Sequence, residues 1–271
     1  MGIDSSSKSN DTDLYGSMSS LLVDVGDYLR GLKEIGCRGF QCSDETLSRL
    51  AALGKRRSGP ESLDQILREL ADCRRCALCE KRNHIVFGEG SASARLVFVG
   101  EGPGKEEDKT GRPFVGAAGR LLTRIIEAMH LARDDVFICN IVKCRPPGNR
   151  TPKPEEISVC LSFLKRQLEA IKPDFVCALG AVAAQTLLET EDPISRLRGR
   201  FHSVSDFLVM PTYHPSYLLR NPEKKRDVWE DMKTLMREMD RRRKQENAFD
   251  GSTALQAYSS TRRPSSDVRE R

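Results

Sequence analysis

The chain has 271 residues and a formal net charge of +5, and charged residues make up 31% of it. No apolar run approaches the roughly 18 residues that a membrane-spanning helix needs, and the first residues lack the apolar segment of a secretory signal. These features argue against a membrane or exported protein, and we expect a cytoplasmic protein of one large or two small domains.

The two ends differ in composition from the middle of the chain. Residues 1–20 are rich in Ser, Asp and Asn, whereas residues 241–271 begin with four basic residues and continue rich in Ser, Thr and Arg. Segments of this kind bury too little apolar surface to fold alone. We therefore predict a partly disordered N-terminal extension over 1–61, with a helical lead-in near 21–35, a folded domain over 62–240, and a basic disordered tail over 241–271.

Four short apolar runs and the helical patterns around them predict an α/β fold. The runs are residues 95–101, 136–143, 175–180 and 207–214. The helical patterns are residues 117–131, 154–171, 181–189 and about 223–240. Strands that alternate with helices are typical of a parallel sheet whose two faces are covered by helices.

A glycine-rich segment from Gly100 to Gly116 follows the first predicted strand and precedes a helix. Open α/β sheets bind their ligands at the carboxyl ends of strands, and glycine lets the backbone approach a ligand closely. Gly100, Gly102 and Gly104 are therefore candidate binding positions. The patterns of dinucleotide-binding loops and P-loops are both missing from the segment, which excludes those two kinds of site.

Five of the nine cysteines have the spacing of a metal site. Cys73 and Cys76 lie two residues apart among charged residues, Cys79 follows, Cys144 comes after the second predicted strand, and Cys160 lies in the next helix. In a chain without an export signal, metal ligation is a better interpretation than disulfides. Four sulfurs suit zinc or an iron–sulfur cluster, and the spacing alone does not say which of the first three cysteines is spare.

Four segments, in order along residues 62–240, resemble the iron–sulfur family of uracil-DNA glycosylases, called family 4. The segments are Cys73–Cys76 with 86–90, Gly100–Gly116, 140–150 with Cys160, and 214–220. The resemblance implies a three-layer sandwich with a central, mostly parallel sheet of four strands between helices. It also implies a [4Fe–4S] cluster, and the implied ligands are Cys73, Cys76, Cys144 and Cys160, with Cys79 as the spare.

The resemblance further implies a monofunctional DNA repair glycosylase, for which uracil-containing DNA is the partner. Such an enzyme flips uracil out of the base stack and hydrolyses its N-glycosidic bond, which leaves an abasic site for base excision repair. The base departs as an anion, so the site must recognise uracil and stabilise negative charge on its oxygen. We expect the protein to act as a monomer.

Asn140, Phe114 and His214 are the candidate residues for the base. The amide of Asn140 can pair with uracil N3–H and O4, the ring of Phe114 can stack on the base, and an imidazole N–H of His214 can stabilise the developing anion at O2. Glu101 is the candidate for orienting the attacking water. The alternative role for Glu101 is a carboxylate that accepts N–H bonds from its own loop.

The segment from Ser216 to Arg220 is the candidate DNA contact. Leu218 or Leu219 can wedge into the minor groove and fill the gap that the flipped base leaves. Ser216 and Arg220 suit phosphate contacts. Other candidate contacts to the DNA backbone are the basic residues Lys143, Arg145 and Arg150.

Two other functions fit the same residues. One is a nucleic-acid-binding module whose zinc or cluster is structural and which has no catalytic activity. The other is a relative that traps abasic DNA covalently after excision. Such relatives carry a basic insert with a histidine after the second strand, whereas residues 144–153 contain no histidine, so we expect no covalent trapping.

Overall fold

The computed structural model describes residues 61–260, and it describes side chains as far as residue 245. The chain forms a mixed α/β fold over this range. The strands described are β1 (Glu89–Gly90), β2 (Leu96–Gly100), β3 (Phe137–Asn140), β4 (Phe175–Leu179), β5 (His202–Val204) and β6 (Phe207–Thr212). The α-helices described are α1 (Leu63–Leu70), α2 (Lys105–Thr110), α3 (Ala117–Ala128), α4 (Pro154–Ile171), α5 (Ala181–Leu188), α6 (Ile194–Leu197), α7 (Pro215–Arg220) and α8 (Lys225–Ser260).

The strands form one six-stranded sheet in the order β1-β3-β2-β4-β6-β5. The four central strands are parallel to one another, and they are the four that the apolar runs predict. The two edge strands, β1 and β5, pair in the antiparallel direction. The predicted count of four strands is therefore wrong. The prediction missed β1 and β5 because they have only two and three residues and carry no apolar run.

Both faces of the sheet are buried, which explains why its central strands are continuous apolar runs. Alternate side chains of a strand point to opposite faces. In β2, Val97 and Val99 belong to a cluster that includes residues of α4 and α5. Leu96 and Phe98 belong to a second cluster that includes residues of α3 and α8. Helices thus pack on both faces, as parallel sheets require.

The last helix, α8, is longer than its pattern predicts. It runs to Ser260, so residues 241–260 are helical where the sequence predicts a disordered tail. The prediction ended the helix at a run of basic residues, but those side chains have partners within the helix and the body. Arg241 pairs with Glu238 one turn earlier, and the guanidinium of Arg242 lies 4.9 Å from the ring centre of Phe175.

Other predictions fall on parts of the chain that the structure does not describe. These are the N-terminal extension up to residue 60, with the lead-in helix near 21–35, and the end of the tail over 261–271. None of the helices described is long and apolar enough to cross a membrane.

Candidate active site

The candidate residues meet at the carboxyl edge of the sheet. Gly100 and Asn140 are the last residues of β2 and β3, and they are direct partners in the parallel pairing of these strands. His214 follows the end of β6 by two residues. The ring of Phe114 lies with its centre 5.7 Å from the centre of the His214 ring, at 33° to its plane. Three side chains from distant parts of the sequence therefore converge at this edge, and we call the space around them the pocket.

Gly100 contributes to the pocket by lacking a side chain. A Cβ at this position would lie 2.5 Å from Asn140 Oδ1 and 2.5 Å from Phe114 Cζ. Real Cβ atoms do not approach other heavy atoms so closely, because the repulsion would displace one of them. The amide of Asn140 and the ring of Phe114 can therefore converge above the backbone of β2 only because residue 100 is glycine.

The Asn140 side chain is buried with an unused acceptor. Its exposed fraction is 1%. Among the residues whose side chains are described, its Oδ1 is the one buried side-chain oxygen or nitrogen without a hydrogen-bond partner. A buried polar atom left in this state costs about 1–3 kcal/mol. A ligand that donated an N–H to Oδ1 would recover this cost, so the atom is a candidate recognition point.

His214 is a neutral imidazole whose free nitrogen is a donor. The backbone N–H of Ser216 points at His214 Nδ1 across 3.1 Å, and the Ser216 hydroxyl lies 2.8 Å from the same atom. A backbone N–H can only donate, so Nδ1 is unprotonated and the ring proton lies on Nε2. Burial lowers the pKa of His214 to about 4. Near neutral pH the ring therefore presents an uncharged Nε2–H, a proton position that the sequence does not reveal.

Glu107, and not Glu101, is the carboxylate that accepts N–H groups of the glycine-rich segment. The half-buried carboxylate of Glu101 makes no hydrogen bond to any residue that the structure describes, and burial raises its pKa. Glu107 Oε1 instead accepts the backbone N–H groups of Val115 and Gly116, both at 2.9 Å. The loop-holding carboxylate is thus Glu107, in the first turn of α2, which sequence reasoning missed.

The two leucines of α7 have different environments. His214 caps the start of this helix. Leu218 has an exposed fraction of 1% and lies in the core with α3 and α8, so its assignment as a DNA contact is wrong. Leu219 is 44% exposed, and Arg220 is exposed beside it. Ser216 contacts the imidazole of His214 rather than standing free for a phosphate.

The basic residues after β3 also differ from expectation. Lys143 is fully buried, and its ammonium donates to the backbone oxygen of Asn140 at 2.8 Å and to Gln167 Oε1 at 2.6 Å. It therefore supports the pocket from inside and cannot reach DNA. Arg150 pairs with the buried Glu156, and Arg145 donates to Asn149 Oδ1 at 2.7 Å.

The four cysteines named as ligands share one neighbourhood. All of them are free thiols. Electrostatic interactions join the thiol of Cys76 to those of Cys73, Cys79, Cys144 and Cys160, so the cysteine predicted to be spare, Cys79, lies in the same neighbourhood. Burial raises the pKa of Cys144 to about 11 and also raises those of Cys76 and Cys160. In the part of the chain whose side chains are described, no set of three or more His, Cys, Asp or Glu has the arrangement of a metal-ion site.

The surroundings of these thiols suit an anionic group. The backbone N–H of Lys143 points at Cys160 Sγ across 3.3 Å, and Arg82 Nη1 lies 3.5 Å from Cys144 Sγ. The buried ammonium of Lys143 forms no ion pair with any carboxylate in the described residues, although an uncompensated buried cation is costly. Four ligating thiolates would supply the missing negative charge, so the residues present fit a cluster bound at this point.

Comparison with known proteins agrees with this geometry. The family described as the uracil DNA glycosylase superfamily matches residues 87–233, which include every residue of the pocket. A type-4 uracil-DNA glycosylase of Thermotoga maritima is 50% identical over 180 residues, which are 64% of this chain and 92% of that protein.

Two further relatives are also named as uracil-DNA glycosylases. A type-4 uracil-DNA glycosylase of Archaeoglobus fulgidus is 44% identical over 183 residues, 65% of this chain and 92% of that protein. A type-5 uracil-DNA glycosylase of Pyrobaculum aerophilum is 34% identical over 146 residues, 48% of this chain and 64% of that protein. With a pocket of this design and such close relatives, the chain belongs to the uracil DNA glycosylase superfamily and, within it, to the type-4 uracil-DNA glycosylases.

Proposed function

We propose that this protein is a monofunctional DNA repair glycosylase that hydrolyses the N-glycosidic bond of uracil in DNA and leaves an abasic site. The observation that carries the proposal is the buried Asn140 Oδ1, which has no partner in the described residues and lies beside an aromatic ring and a neutral imidazole. The type-4 glycosylases to which the chain is similar are named for uracil excision, which supports the same conclusion.

Asn140 gives the site its preference for uracil. Its Oδ1 accepts N3–H of a base that has been flipped out of the stack, and its NH₂ donates to O4. Cytosine presents an acceptor at N3 and an amino group at C4. The acceptor Oδ1 would then face another acceptor, and the NH₂ group would face another donor. A buried polar site rejects such a base strongly, because its own groups are left unpaired.

Phe114 and the glycines shape the space around the base. The Phe114 ring stacks on the flipped pyrimidine, while the backbone of Gly100, Gly102 and Gly104 lets the base or its phosphate approach closely. A Cβ at Gly102 would lie 2.8 Å from Val142 Cγ2, so no side chain fits there without displacing the Val142 side chain.

His214 stabilises the leaving group. The base departs with the electrons of the glycosidic bond, and negative charge gathers on O2. The Nε2–H of His214 donates to that oxygen, while Ser216 fixes the opposite nitrogen as an acceptor. Loss of a single donor of this kind typically lowers the rate about 10²–10³-fold.

Glu101 is proposed to orient the attacking water. Its carboxylate lies at the end of β2, next to Gly100, and it is free of the loop contacts that Glu107 makes. A carboxylate in this position can accept a hydrogen bond from water and oppose the positive charge that develops on the sugar.

The proposed cofactor is a [4Fe–4S] cluster held by Cys73, Cys76, Cys144 and Cys160. When bound, the cluster supplies a covalent link between the chain before β1, the chain after β3 and α4. Lys143 and Arg82 offset the charge of the thiolates, and Lys143 at the same time holds the backbone of Asn140.

We propose that DNA lies across the carboxyl edge of the sheet. Leu219 wedges into the base stack, and Arg220 contacts a phosphate. One chain supplies every residue of the pocket, which favours action as a monomer.

The test is incubation with oligonucleotides that contain U:G, U:A or T:G pairs or single-stranded uracil, followed by alkali. We expect alkali-dependent cleavage at uracil and intact strands before alkali, and we expect Asn140→Ala to lose cleavage while its circular dichroism stays unchanged. Intact strands from every uracil substrate with cluster-containing protein would refute the proposal. A colourless, zinc-loaded and inactive protein would favour the binding module, and a shifted protein–DNA band on a denaturing gel would favour covalent trapping.

A further inference from the structure

The loop that carries Phe114 is held in an unfavourable conformation. We call residues Gly111–Gly116 the pocket loop. Phe114 has a φ of +51°, in the left-handed region, which costs a residue other than glycine about 1–2 kcal/mol. The conformation turns the Phe114 ring towards His214. Contacts from outside the loop must offset this cost, because a free loop would relax.

Glu107 and Arg133 are two of the side chains outside the pocket loop that bond to its backbone beside Phe114. Glu107 accepts hydrogen bonds from the N–H groups of Val115 and Gly116, the two residues after Phe114. Arg133 donates to the carbonyl groups of the loop. Its Nη2 donates to Pro113 O at 2.9 Å, and its Nη1 donates to Phe114 O at 3.3 Å. Helix α3 passes so close that a Cβ at Gly119 would lie 1.9 Å from the carbonyl carbon and oxygen of Phe114.

Arg133 is itself fixed by the body of the protein. Its Nε donates to Glu89 Oε1 at 3.1 Å, its Nη2 also contacts that oxygen, and its Nη1 donates to Thr123 Oγ1 at 3.0 Å. Glu89 lies on the edge strand β1 and Thr123 on α3, so the guanidinium joins three parts of the fold. A planar group with five donors can satisfy these partners together, whereas a lysine ammonium cannot.

We propose that Arg133 is a positioning residue for uracil stacking, which acts through the backbone carbonyl groups of Pro113 and Phe114. This inference rests on the proposed function, because it assigns a purpose to a ring that stacks on the flipped base. Arg133 contacts two carbonyl groups of the pocket loop. Its loss lets the loop relax, and the Phe114 ring then leaves the position that the base requires.

The first experiment is a double-mutant cycle on uracil excision. Arg133→Met should lower kcat/KM on single-stranded uracil DNA about 10- to 100-fold, because a displacement of about 1 Å can cost 10²-fold. Phe114→Ala should lower it as well, and Arg133→Met added to Phe114→Ala should change it less than about threefold. Equal losses in both backgrounds, or wild-type kcat/KM in Arg133→Met, would overturn the proposal.

The matched control is Arg166→Met. Arg166 has a similar side-chain exposure, 24% against 20% for Arg133, and also binds carboxylates, but it joins α1 to α4 away from the pocket. Its loss should lower the melting temperature and leave kcat/KM near wild type. Arg133→Lys should recover only part of the activity, because lysine cannot span the same acceptors. Full recovery would show that charge alone is needed and would contradict the proposed geometry.

A second measurement does not depend on activity. Hydrogen exchange of a peptide that covers the pocket loop should be faster in Arg133→Met than in wild type, and unchanged in Arg166→Met. If the wild-type protein excises no uracil, the proposed function fails, and this measurement still decides whether Arg133 holds the loop. Unchanged exchange in Arg133→Met would refute the role on its own.

Discussion

At the scale of single residues, the pocket depends on atoms that are missing or unpaired. Gly100 leaves room for two groups, Asn140 keeps one acceptor free, and His214 keeps one donor free. Each of these conditions is a matter of a single atom. Small substitutions should therefore change uracil excision far more than they change the fold.

Gly100→Ala tests the need for space. Its Cβ would lie 2.5 Å from both Asn140 Oδ1 and Phe114 Cζ, so at least one of these groups must move. We expect kcat/KM for uracil excision to fall about 100-fold, with circular dichroism close to wild type. Wild-type kcat/KM in this variant would show that the two groups need not converge.

His214 predicts a pH dependence of stability. Above about pH 6.5 the imidazole is neutral in both the folded and the unfolded state. Between about pH 6.5 and 4 the unfolded state binds a proton that the folded state does not, because burial lowers the folded pKa to about 4. The free energy of unfolding should therefore fall as the pH is lowered through this range, by up to about 3 kcal/mol from this residue.

Chemical denaturation of the wild type and of His214→Asn at several pH values measures this dependence. The wild type should lose more stability than the variant between pH 6.5 and 4, and the two should run in parallel above pH 7. Parallel curves over the whole range would mean that the folded imidazole takes up its proton at an ordinary pKa.

At the scale of elements, the sequence predicts the strands well and the contacts between loops poorly. The four apolar runs become the central strands because both faces of the sheet are buried. Asn140 lies in the second of those runs and His214 ends the fourth, so their meeting at one edge could be expected. The hydrogen bonds from Glu107 and Arg133 to the pocket loop could not be expected. They form where the chain folds back on itself, and the spacing of residues in the sequence carries no signal for such contacts.

Helix α7 shows how burial decides between neighbours with the same side chain. Leu219→Ala should lower excision from double-stranded DNA about tenfold and affect single-stranded DNA less, because only a duplex has a gap to fill. Leu218→Ala should lower the free energy of unfolding by about 2–5 kcal/mol, since it removes a buried side chain. Thermal unfolding and excision assays measure both, and a reversal of the two effects would contradict the assignment.

At the scale of the whole molecule, the proposed cluster would link the first described segment to the middle of the fold through its four cysteines. Cys144→Ala should lose iron and visible absorbance and lower the melting temperature, because a cluster with one ligand missing is open and binding is coupled to folding. Cys79→Ala is the matched control and should keep its iron. Loss of iron in Cys79→Ala with retention in Cys144→Ala would show that the ligand set is wrong.

The buried ammonium of Lys143 joins the proposed cluster site to the residue proposed to read uracil. It donates to the backbone oxygen of Asn140, while the backbone N–H of the same lysine points at Cys160 Sγ. If the proposed cluster were removed, its negative charge would no longer offset the buried cation, and the hydrogen bond that holds the Asn140 backbone would be easier to break. Loss of the cluster should therefore lower uracil excision as well as stability.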